Sequence, residues 1–317
     1  SDHRRQRQMC IRDRPYCALP ECDLNGVSLA TKFLGTELDA PLIITGMTGG
    51  TDRAMAINRV LADTAQKKKI ALGLGSQRAS LESGQSQAEL RRLAPDAVLI
   101  GNLGGAQLAG KDGLKLARAA IEDIRANALA IHLNPLQEAI QPEGDHDWRG
   151  VLSAIETAVG TLNCPVLVKE VGAGLSGNVV RRLAAIGVRH VDVAARGGTN
   201  WAQIELNRRP ATDRAHYAPF LSCGLMLPDA IAQARAVSNN LCIIASGGVR
   251  HGLDAAKCLW LGADLVGMAG QILRTVEDDT GHLHPKQLSD LLFSVQQQLR
   301  LSLFLAGKSS IKAFKRG

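Results

Sequence analysis

The chain has 317 residues, of which 45% are hydrophobic, 21% are charged and only 3% are aromatic. This length allows one large α/β domain or two smaller ones, and no apolar run approaches the ~18 residues of a membrane span. The 32 glycines and the scarcity of aromatic residues favour repeated strand–turn–helix units over an all-β sandwich. No signal peptide opens the chain, and the seven cysteines form no CxxC pair. We therefore expect reduced thiols and a cytoplasmic protein.

The formal net charge of +7 lies at the two ends of the chain. Residues 1–14 carry five Arg against two Asp, and residues 308–317 carry three Lys and one Arg, so the middle of the chain is neutral. Nucleic-acid binding needs a basic face interleaved with aromatic residues, which the body lacks. We expect no nucleic-acid or membrane partner. The basic ends are interpreted as solvated tails or, alternatively, as a segment that folds over an anionic substrate.

Hydrophobic periodicity predicts strands and helices that alternate along the chain after a loop-rich extension. Eight short buried strands are predicted over residues 41–44, 70–74, 97–100, 129–133, 166–168, 190–193, 242–245 and 264–267. Helices are predicted over residues 53–67, 113–125, 149–161, 176–186, 227–237 and 250–261, with a long polar loop over 200–224.

Continuous apolar strands between helices indicate a parallel sheet whose outer face is covered. Eight such units fit a TIM barrel. Polar or small residues follow nearly every strand, as expected where one mouth collects residues from all strands. An open doubly wound sheet, the alternative, concentrates its site at one switch point. We predict an α/β fold, a (β/α)8 TIM barrel over residues 41–317 with a loop-rich N-terminal extension over 1–40.

The stretch 241–270 carries the clearest local indication of a ligand. Gly247 and Gly248 follow its first strand, and Ala269 and Gly270 follow its second. Glycine lets backbone N–H groups approach an anion closely, and TIM barrels commonly bind phosphate after the seventh and eighth strands. These residues are candidates for a phosphate grip; the alternative is that the glycines only make tight turns.

Six strand-end motifs occur in one order along the chain. They read Met47-Thr48-Gly49-Gly50, Gly75-Ser76-Gln77-Arg78, His132-Leu133-Asn134-Pro135-Leu136-Gln137-Glu138, Lys169-Glu170-Val171-Gly172, Gly197-Gly198-Thr199 and Ser246-Gly247-Gly248-Val249-Arg250. Together they resemble the type 2, FMN-dependent isopentenyl-diphosphate isomerases, and the resemblance runs from about Ala18 to the C-terminus. One such motif alone is weak, whereas six in register are specific.

The resemblance implies an FMN site at the mouth of the barrel. The implied cofactor contacts are Gly46, Met47, Thr48, Ser76, Asn102, Lys169, Thr199, Gly247, Gly248, Ala269 and Gly270. Lys169 is placed near the N1 edge of the flavin, where a fixed cation stabilises the anionic reduced form. The alternative is a strand-end lysine that pairs with Glu170.

The resemblance also implies a diphosphate substrate and a metal ion. The implied substrate contacts are Ser76, Gln77, Arg78 and Gln137, and the implied Mg²⁺ ligand is Glu138. Mg²⁺ takes one or two carboxylates, waters and substrate phosphates, which suits Glu138, although a solvated loop carboxylate is the alternative. His132 is either a supporting catalytic residue that points into the mouth or a satisfied core histidine.

The reaction implied by the resemblance is a 1,3-allylic proton shift that interconverts isopentenyl and dimethylallyl diphosphate in isoprenoid biosynthesis. The sequence shows no Cys–His or Asp–His nucleophile pair. The resemblance implies that N5 of reduced FMN moves the proton, while the protein positions the substrate and excludes water. NADPH is then needed only to reduce the flavin. The family also implies a homo-oligomer, a tetramer or an octamer.

Two segments depart from the pattern of this family. The family's N-terminal Arg-Lys pair and nearby His are missing from residues 1–14, where Arg4 and Arg5 are the candidates for a diphosphate contact. The family's Asp-Trp-Gly-Ile-Pro run is replaced by residues 222–226, which read Ser-Cys-Gly-Leu-Met.

Two other functions stay open. One is an FMN-dependent 2-hydroxy-acid oxidase or dehydrogenase, which needs a histidine base near arginine; His251 follows Arg250 and is the candidate. That chemistry gives no role to Gln137 or Glu138. The other is a flavin-binding barrel that has lost its activity.

Overall fold

The computed structural model describes residues 16–47 and 52–315. Three positions considered above, Arg4, Arg5 and Thr48, lie outside the described residues.

Eight parallel strands close into a barrel below a small hairpin. The hairpin strands are β1 (Thr31–Phe33) and β2 (Thr36–Leu38), and the barrel strands are β3 (Leu42–Ile44), β4 (Ala71–Gly73), β5 (Leu99–Gly104), β6 (Ala128–Leu133), β7 (Val166–Glu170), β8 (His190–Asp192), β9 (Cys242–Ala245) and β10 (Leu265–Met268). Each barrel strand pairs with its successor, and β10 closes the ring on β3 with Val266 opposite Leu42. The predicted (β/α)8 barrel is confirmed.

Helices surround the barrel on its outer face. They are α1 (Asp52–Lys68), α2 (Arg78–Ser83), α3 (Glu89–Leu93), α4 (Gly105–Ala109), α5 (Gly113–Ile124), α6 (Pro135–Ile140), α7 (Val151–Thr161), α8 (Gly177–Ala185), α9 (Trp201–Arg208), α10 (Ala211–Tyr217), α11 (Leu227–Arg235), α12 (Gly252–Trp260), α13 (Gly270–Val276), α14 (Pro285–Phe304) and α15 (Ile311–Phe314). The six predicted helices are present. Within the described ranges, no helix has the length and apolar character to cross a membrane.

The prediction of a long loop over 200–224 is wrong, because most of this segment is helical. It forms α9, α10 and a 3-10 turn over Ala218–Ser222. Asn200 caps α9 by accepting the Gln203 N–H, and Ala202 and Leu206 pack against Ile140 of α6. Two buried apolar residues in a polar segment give too weak a periodicity to predict a helix.

Helix α14 was not predicted, although its buried face carried the expected pattern. Leu288, Leu292, Val295 and Leu299 recur at three- and four-residue spacing and are buried against the barrel. The 20-residue helix packs beside α12 and α13, so it completes the outer layer after the last barrel strand.

Side chains point alternately into and out of the barrel because successive residues of a strand face opposite sides. One inward layer is apolar and comprises Ile43, Ala71, Ile100, Ala130, Leu167, Ile244 and Leu265. The next inward layer lies two residues further along each strand, toward the carboxyl ends. It comprises Thr45, Gly73, Asn102, His132, Lys169, Asp192, Ser246 and Gly267. We call this second layer the polar floor, because it closes the bottom of the mouth.

The β1–β2 hairpin fills the opposite end of the barrel. Phe33 and Leu38 are 3% and 2% exposed and belong to the same cluster as the apolar inward layer. Phe33 also meets the ring of His190 edge-on, with 6.1 Å between ring centroids. The extension is thus loop-rich but contains a structured plug. The division into an extension over 1–40 and a barrel domain over 41–317 stays a prediction.

A buried arginine, Arg91, holds together the two loops that lead into β5 and β6. The Arg91 guanidinium donates to the backbone oxygens of five residues, Ile124, Ala94, Pro95, Ala97 and Arg125, and to Asn127 Oδ1. Its side chain is 7% exposed and no carboxylate accepts from it within the described ranges. Arg91 therefore donates hydrogen bonds to carbonyl groups of these two loops that would otherwise be buried without partners.

Replacing Arg91 with Met should lower the free energy of unfolding by about 3 kcal/mol or more, because each buried carbonyl left unpaired costs about 1–3 kcal/mol. Urea unfolding followed by far-UV circular dichroism measures this. Arg92→Met is the matched control, since Arg92 is the exposed neighbour on the same helix. Equal stabilities of the two variants would contradict the structural role of Arg91.

Candidate functional site

Lys169 places one positive charge in the polar floor. Its side chain is buried, and Nζ donates to the backbone oxygen of Glu170 at 2.6 Å. Within the described ranges, no carboxylate lies within ion-pair distance of Nζ. The alternative of a Lys169–Glu170 side-chain pair is not what the structure shows, because the lysine contacts only the carbonyl. An ammonium group held in this way keeps its charge available to the mouth of the barrel.

The carboxylate of Glu170 shapes the loop that follows β7. Its Oε2 accepts backbone N–H groups from Val171, Gly172, Ala173 and Gly174. Burial raises the pKa of this carboxyl, and the four amides oppose that rise. Because one side chain gathers four successive amides, the loop has a single defined path and Lys169 has a fixed direction.

Asn102 and His132 form a second fixed pair in the polar floor. Asn102 Nδ2 donates to the Leu74 oxygen at 2.8 Å, which orients the amide so that Oδ1 lies 2.8 Å from His132 Nδ1. Burial, and then the charge of Lys169, lower the pKa of His132 to about 3. The imidazole is therefore neutral, with Nδ1–H donating to Asn102, and Nε2 is left as an acceptor.

Asp192 is a buried carboxylate in the polar floor that the sequence analysis missed. It lies opposite Lys169 in the β7–β8 register, and its Oδ1 accepts from Ser246 Oγ at 2.6 Å and from the Ala194 N–H. Burial raises the pKa of Asp192, whereas the charge of Lys169 lowers it. The period-two alternation of β8, which turns Asp192 inward, was the indication that sequence reasoning could have used.

Glycine allows the loops after β8 and β9 to touch. Gly247 and Gly248 have φ of 116° and 79°, and a Cβ at Gly248 would collide with the Gly197 oxygen. A Cβ at Gly270 would lie 3.6 Å from Thr199 Oγ1. The predicted phosphate-grip residues Gly247, Gly248 and Gly270 thus share one region with Thr199. Ala269 directly precedes Gly270 at the start of α13.

The predicted contacts after β3 and β4 have different surroundings. Gly46 lies so close to the Leu74 oxygen that a Cβ there would collide with it, and Met47 packs on the outer core. Ser76 is half-buried at the mouth end of β4. Arg78 is exposed and pairs with Glu82 at 3.0 Å and with Asp145 at 3.6 Å.

Gln77 is fully buried, and its side-chain amide is engaged at both ends. Nε2 donates to the Ala120 oxygen at 3.2 Å, and Oε1 accepts the Asn102 N–H at 2.9 Å. The side chain therefore joins α5 to β5 behind the polar floor. Through the Asn102 backbone it supports the Asn102–His132 pair.

Gln137 and Glu138 lie on the first turn of α6 within a hydrogen-bonded network. Asn134 Nδ2 donates to Gln137 Oε1 at 3.2 Å and to Glu138 Oε1 at 2.9 Å. Glu138 Oε2 accepts the Asp145 N–H, and Gln137 Nε2 donates to Glu205. No cluster of three His, Cys, Asp or Glu residues occurs within 16–47 and 52–315. Glu138 therefore offers a cation one carboxylate, which is the number that Mg²⁺ commonly takes from protein.

A cavity of about 170 Å³ opens beside the polar floor, between α6 and the loops after β7 and β8. Gln137 and Thr199 line it, as do Arg196, Trp201 and Cys223. The helical segment over 201–222 forms one wall. Sequence analysis did not single out Arg196, although its position in the loop after β8 fits the rule that barrel chemistry lies at strand carboxyl ends.

The carboxyl half of the barrel has a counterpart among known families. Residues 138–317 match the family model described as FMN-dependent dehydrogenase. Solved structures of flavocytochrome b2 (TM-score 0.69, 18% identity, 95% of this chain and 74% of that one) and mandelate oxidase (TM-score 0.66, 16% identity, 98% and 87%) share the fold. Fold and site together define the class as FMN-dependent (β/α)8-barrel proteins.

Sequence relatives resolve the family within this class. The chain is 49% identical to a protein of Xanthobacter autotrophicus, over 95% of this chain and 87% of that one, and 46% identical to a protein of Cronobacter sakazakii, over 95% and 86%. Both relatives are named isopentenyl-diphosphate delta-isomerase. The chain belongs to the isopentenyl-diphosphate delta-isomerase family, in its FMN-dependent, type 2 branch.

The low pKa of His132 predicts a neutral imidazole with its proton on Nδ1 throughout the range from pH 8 to pH 4. Nitrogen-15 NMR of imidazole-labelled protein measures this, with free histidine in the same buffer as reference. Because the unfolded residue has a pKa of about 6.5, the unfolded chain binds a proton that the folded chain excludes between pH 6.5 and 3. His132 thus makes the fold less stable as the pH falls through this window, and His132→Gln should remove that part of the loss.

Proposed function

We propose that this chain interconverts isopentenyl diphosphate and dimethylallyl diphosphate by a 1,3-allylic proton shift, in isoprenoid biosynthesis. The observation that carries the proposal is the 49% identity, over 95% of the chain, to a relative that is named for this activity. The geometry is compatible with it, since the polar floor holds a fixed cation and a neutral histidine beside a partly apolar cavity.

The residues at the mouth fit FMN. A buried lysine that donates to the Glu170 carbonyl and forms no carboxylate hydrogen bond within the described ranges suits the anionic edge of a reduced flavin, and glycine backbone at 247–248 and 270 suits a phosphate. We propose that the flavin is held by Gly46, Met47, Thr48, Ser76, Asn102, Lys169, Thr199, Gly247, Gly248, Ala269 and Gly270. When bound, reduced FMN supplies the acid–base chemistry of the proton shift.

The protein side chains position the substrate and hold charge in place. Lys169 fixes a positive charge at the floor. Burial and that charge keep His132 neutral, and Asn102 orients the ring with Nε2 as an acceptor. Leu136 and Trp201 on the cavity wall exclude water from a hydrocarbon chain. An alkene carbon is a weak base, so this exclusion protects a proton transfer that water would otherwise intercept.

We propose that Glu138 binds Mg²⁺ and that Ser76, Gln77, Arg78 and Gln137 contribute to the substrate site. Glu138 fits because each of its carboxylate oxygens accepts one hydrogen bond from the residues of 16–47 and 52–315, which leaves lone pairs for a cation that also takes substrate oxygens. NADPH as the reductant of the flavin, a cytoplasmic location and a homo-oligomeric state stay predictions.

The histidine that the sequence offers as base for the competing oxidase function, His251, lies at the start of a helix. His251 begins α12, where its Nδ1 accepts the Asp254 N–H at 3.1 Å as a helix cap. It is not among the inward residues of the polar floor. Solved structures of mandelate oxidase and flavocytochrome b2 share the fold at 16–19% identity, which does not carry their activity to this chain.

The direct test is isomerisation of isopentenyl diphosphate with FMN, NADPH and Mg²⁺, omitting each component in turn. We expect a yellow protein that forms dimethylallyl diphosphate only after the flavin is reduced. Lactate serves as the alternative substrate. If lactate bleaches the flavin and isopentenyl diphosphate is left unchanged, the oxidase function replaces the isomerase function as the assignment. A colourless protein that takes up no FMN would reject both.

Replacing Lys169 with Ala should make the bound flavin harder to reduce, because the cation that stabilises its negative charge is lost. A loss of about 1–2 kcal/mol corresponds to a midpoint potential lower by roughly 20–40 mV. Dye-equilibrated reductive titration measures the potential. Lys115→Ala, an exposed lysine of α5, is the control. An unaltered potential in the Lys169 variant removes this role.

Replacing Glu138 with Gln should raise the Mg²⁺ concentration needed for half-maximal turnover by about tenfold or more, while FMN affinity stays the same, because only the metal loses a charged ligand. A magnesium titration of turnover, run beside an FMN fluorescence titration, measures both quantities. Glu156→Gln on the exposed face of α7 is the control. The assignment fails if the two variants share one Mg²⁺ dependence.

A further inference from the structure

The cavity beside the polar floor has two charged lining residues, Glu170 and Arg196. The Glu170 carboxylate is occupied by four backbone N–H groups of its own loop and forms no ion pair with Arg196. The electrostatic character of the cavity therefore depends on the arginine.

The backbone at Arg196 is fixed on both sides. Its N–H donates to the Leu225 oxygen at 2.9 Å, and it forms a parallel bridge with Met226. Gly197 and Gly198 follow it, so no side chain from the next two residues covers this part of the loop. The residue thus has a fixed place at the carboxyl end of β8, on the wall of the cavity.

The Arg196 side chain has no hydrogen bond or ion pair with any residue of 16–47 or 52–315, although it is half-buried. Arg78, the arginine predicted from the sequence to bind substrate, differs because two carboxylates, Glu82 and Asp145, already pair with it. A half-buried guanidinium without a counter-ion is unfavourable, and an anion bound in the cavity relieves this.

The wall provided by α6 and the helical segment over 201–222 is apolar. Leu136, Trp201 and Leu221 line it. One cavity therefore combines a guanidinium and bare glycine backbone with a hydrocarbon surface. This combination suits an amphipathic ligand that has an anionic group and a short branched hydrocarbon chain.

We infer that Arg196 binds the diphosphate of the allylic or homoallylic substrate, an inference that rests on the proposed function. Gln137, the other predicted substrate residue in this region, lines the same cavity. Of the residues proposed for FMN, Thr199 lines the cavity, whereas the phosphate-grip glycines Gly247, Gly248 and Gly270 do not. The location therefore favours the substrate over the cofactor as the source of the anion.

The experiment compares Arg196→Gln, Arg196→Lys and the control Arg181→Gln, an exposed arginine of α8, as FMN-loaded enzymes with Mg²⁺. Calorimetry measures the binding of inorganic diphosphate, initial rates give KM and kcat for isopentenyl diphosphate, and fluorescence gives the dissociation constant of FMN. In Arg196→Gln we expect diphosphate affinity to fall and KM to rise by about tenfold to a hundredfold, the effect of losing a charge-assisted contact.

The FMN affinity of Arg196→Gln should stay within about twofold of the parent value. Arg196→Lys should lose less diphosphate affinity, because lysine keeps the charge without the planar guanidinium. Arg181→Gln should match the parent enzyme. Unchanged diphosphate affinity in Arg196→Gln overturns the inference. So does weaker FMN binding with unchanged diphosphate binding, which would assign Arg196 to the cofactor phosphate. Diphosphate binding that depends on Arg196, in an enzyme that isomerises nothing, would instead reject the proposed function and keep the anion site.

Discussion

The alternation of side chains along eight hydrogen-bonded parallel strands is the constraint on which the rest of the structure depends. Because the ring closes through the β10–β3 pair, every inward residue lies in a layer of the barrel interior that it shares with residues of other strands. A two-residue step along each strand changes that layer from aliphatic to polar. The polar floor therefore follows from the alignment of the strands. This alignment places Lys169 between His132 and Asp192, although about 60 residues separate His132 from Asp192 in sequence.

Much of the barrel could be predicted from the sequence, since strands buried on both faces read as short continuous apolar runs. The same rule explains what was missed: Asp192 is a carboxylate inside such a run, and its inward direction follows only once the register is known. The helices over 201–222 escaped because their two buried residues, Ala202 and Leu206, act through contact with Ile140. Long-range packing of this kind has no local periodicity.

The site residues were predicted through family resemblance more than through physics, and the structure adds their surroundings. Resemblance placed Lys169 and Gln77 together in the site, yet one faces the mouth from the polar floor and the other joins α5 to β5 behind it. The pairing of Asn102 with His132 depends on the Leu74 carbonyl, which no motif contains. Sequence motifs thus identify the site residues, whereas tertiary contacts determine the protonation state and orientation of their side chains.

The hairpin formed by β1 and β2 determines from which end of the barrel a ligand enters and leaves. Since the apolar inward layer fills the barrel and Phe33 and Leu38 cover its amino-terminal end, the described residues leave the carboxyl end as the open side of the polar floor. Any molecule seated at the polar floor must arrive and depart through one opening, and a later arrival shuts in an earlier one. Such a site imposes an order on its occupants: the deepest is admitted first and released last.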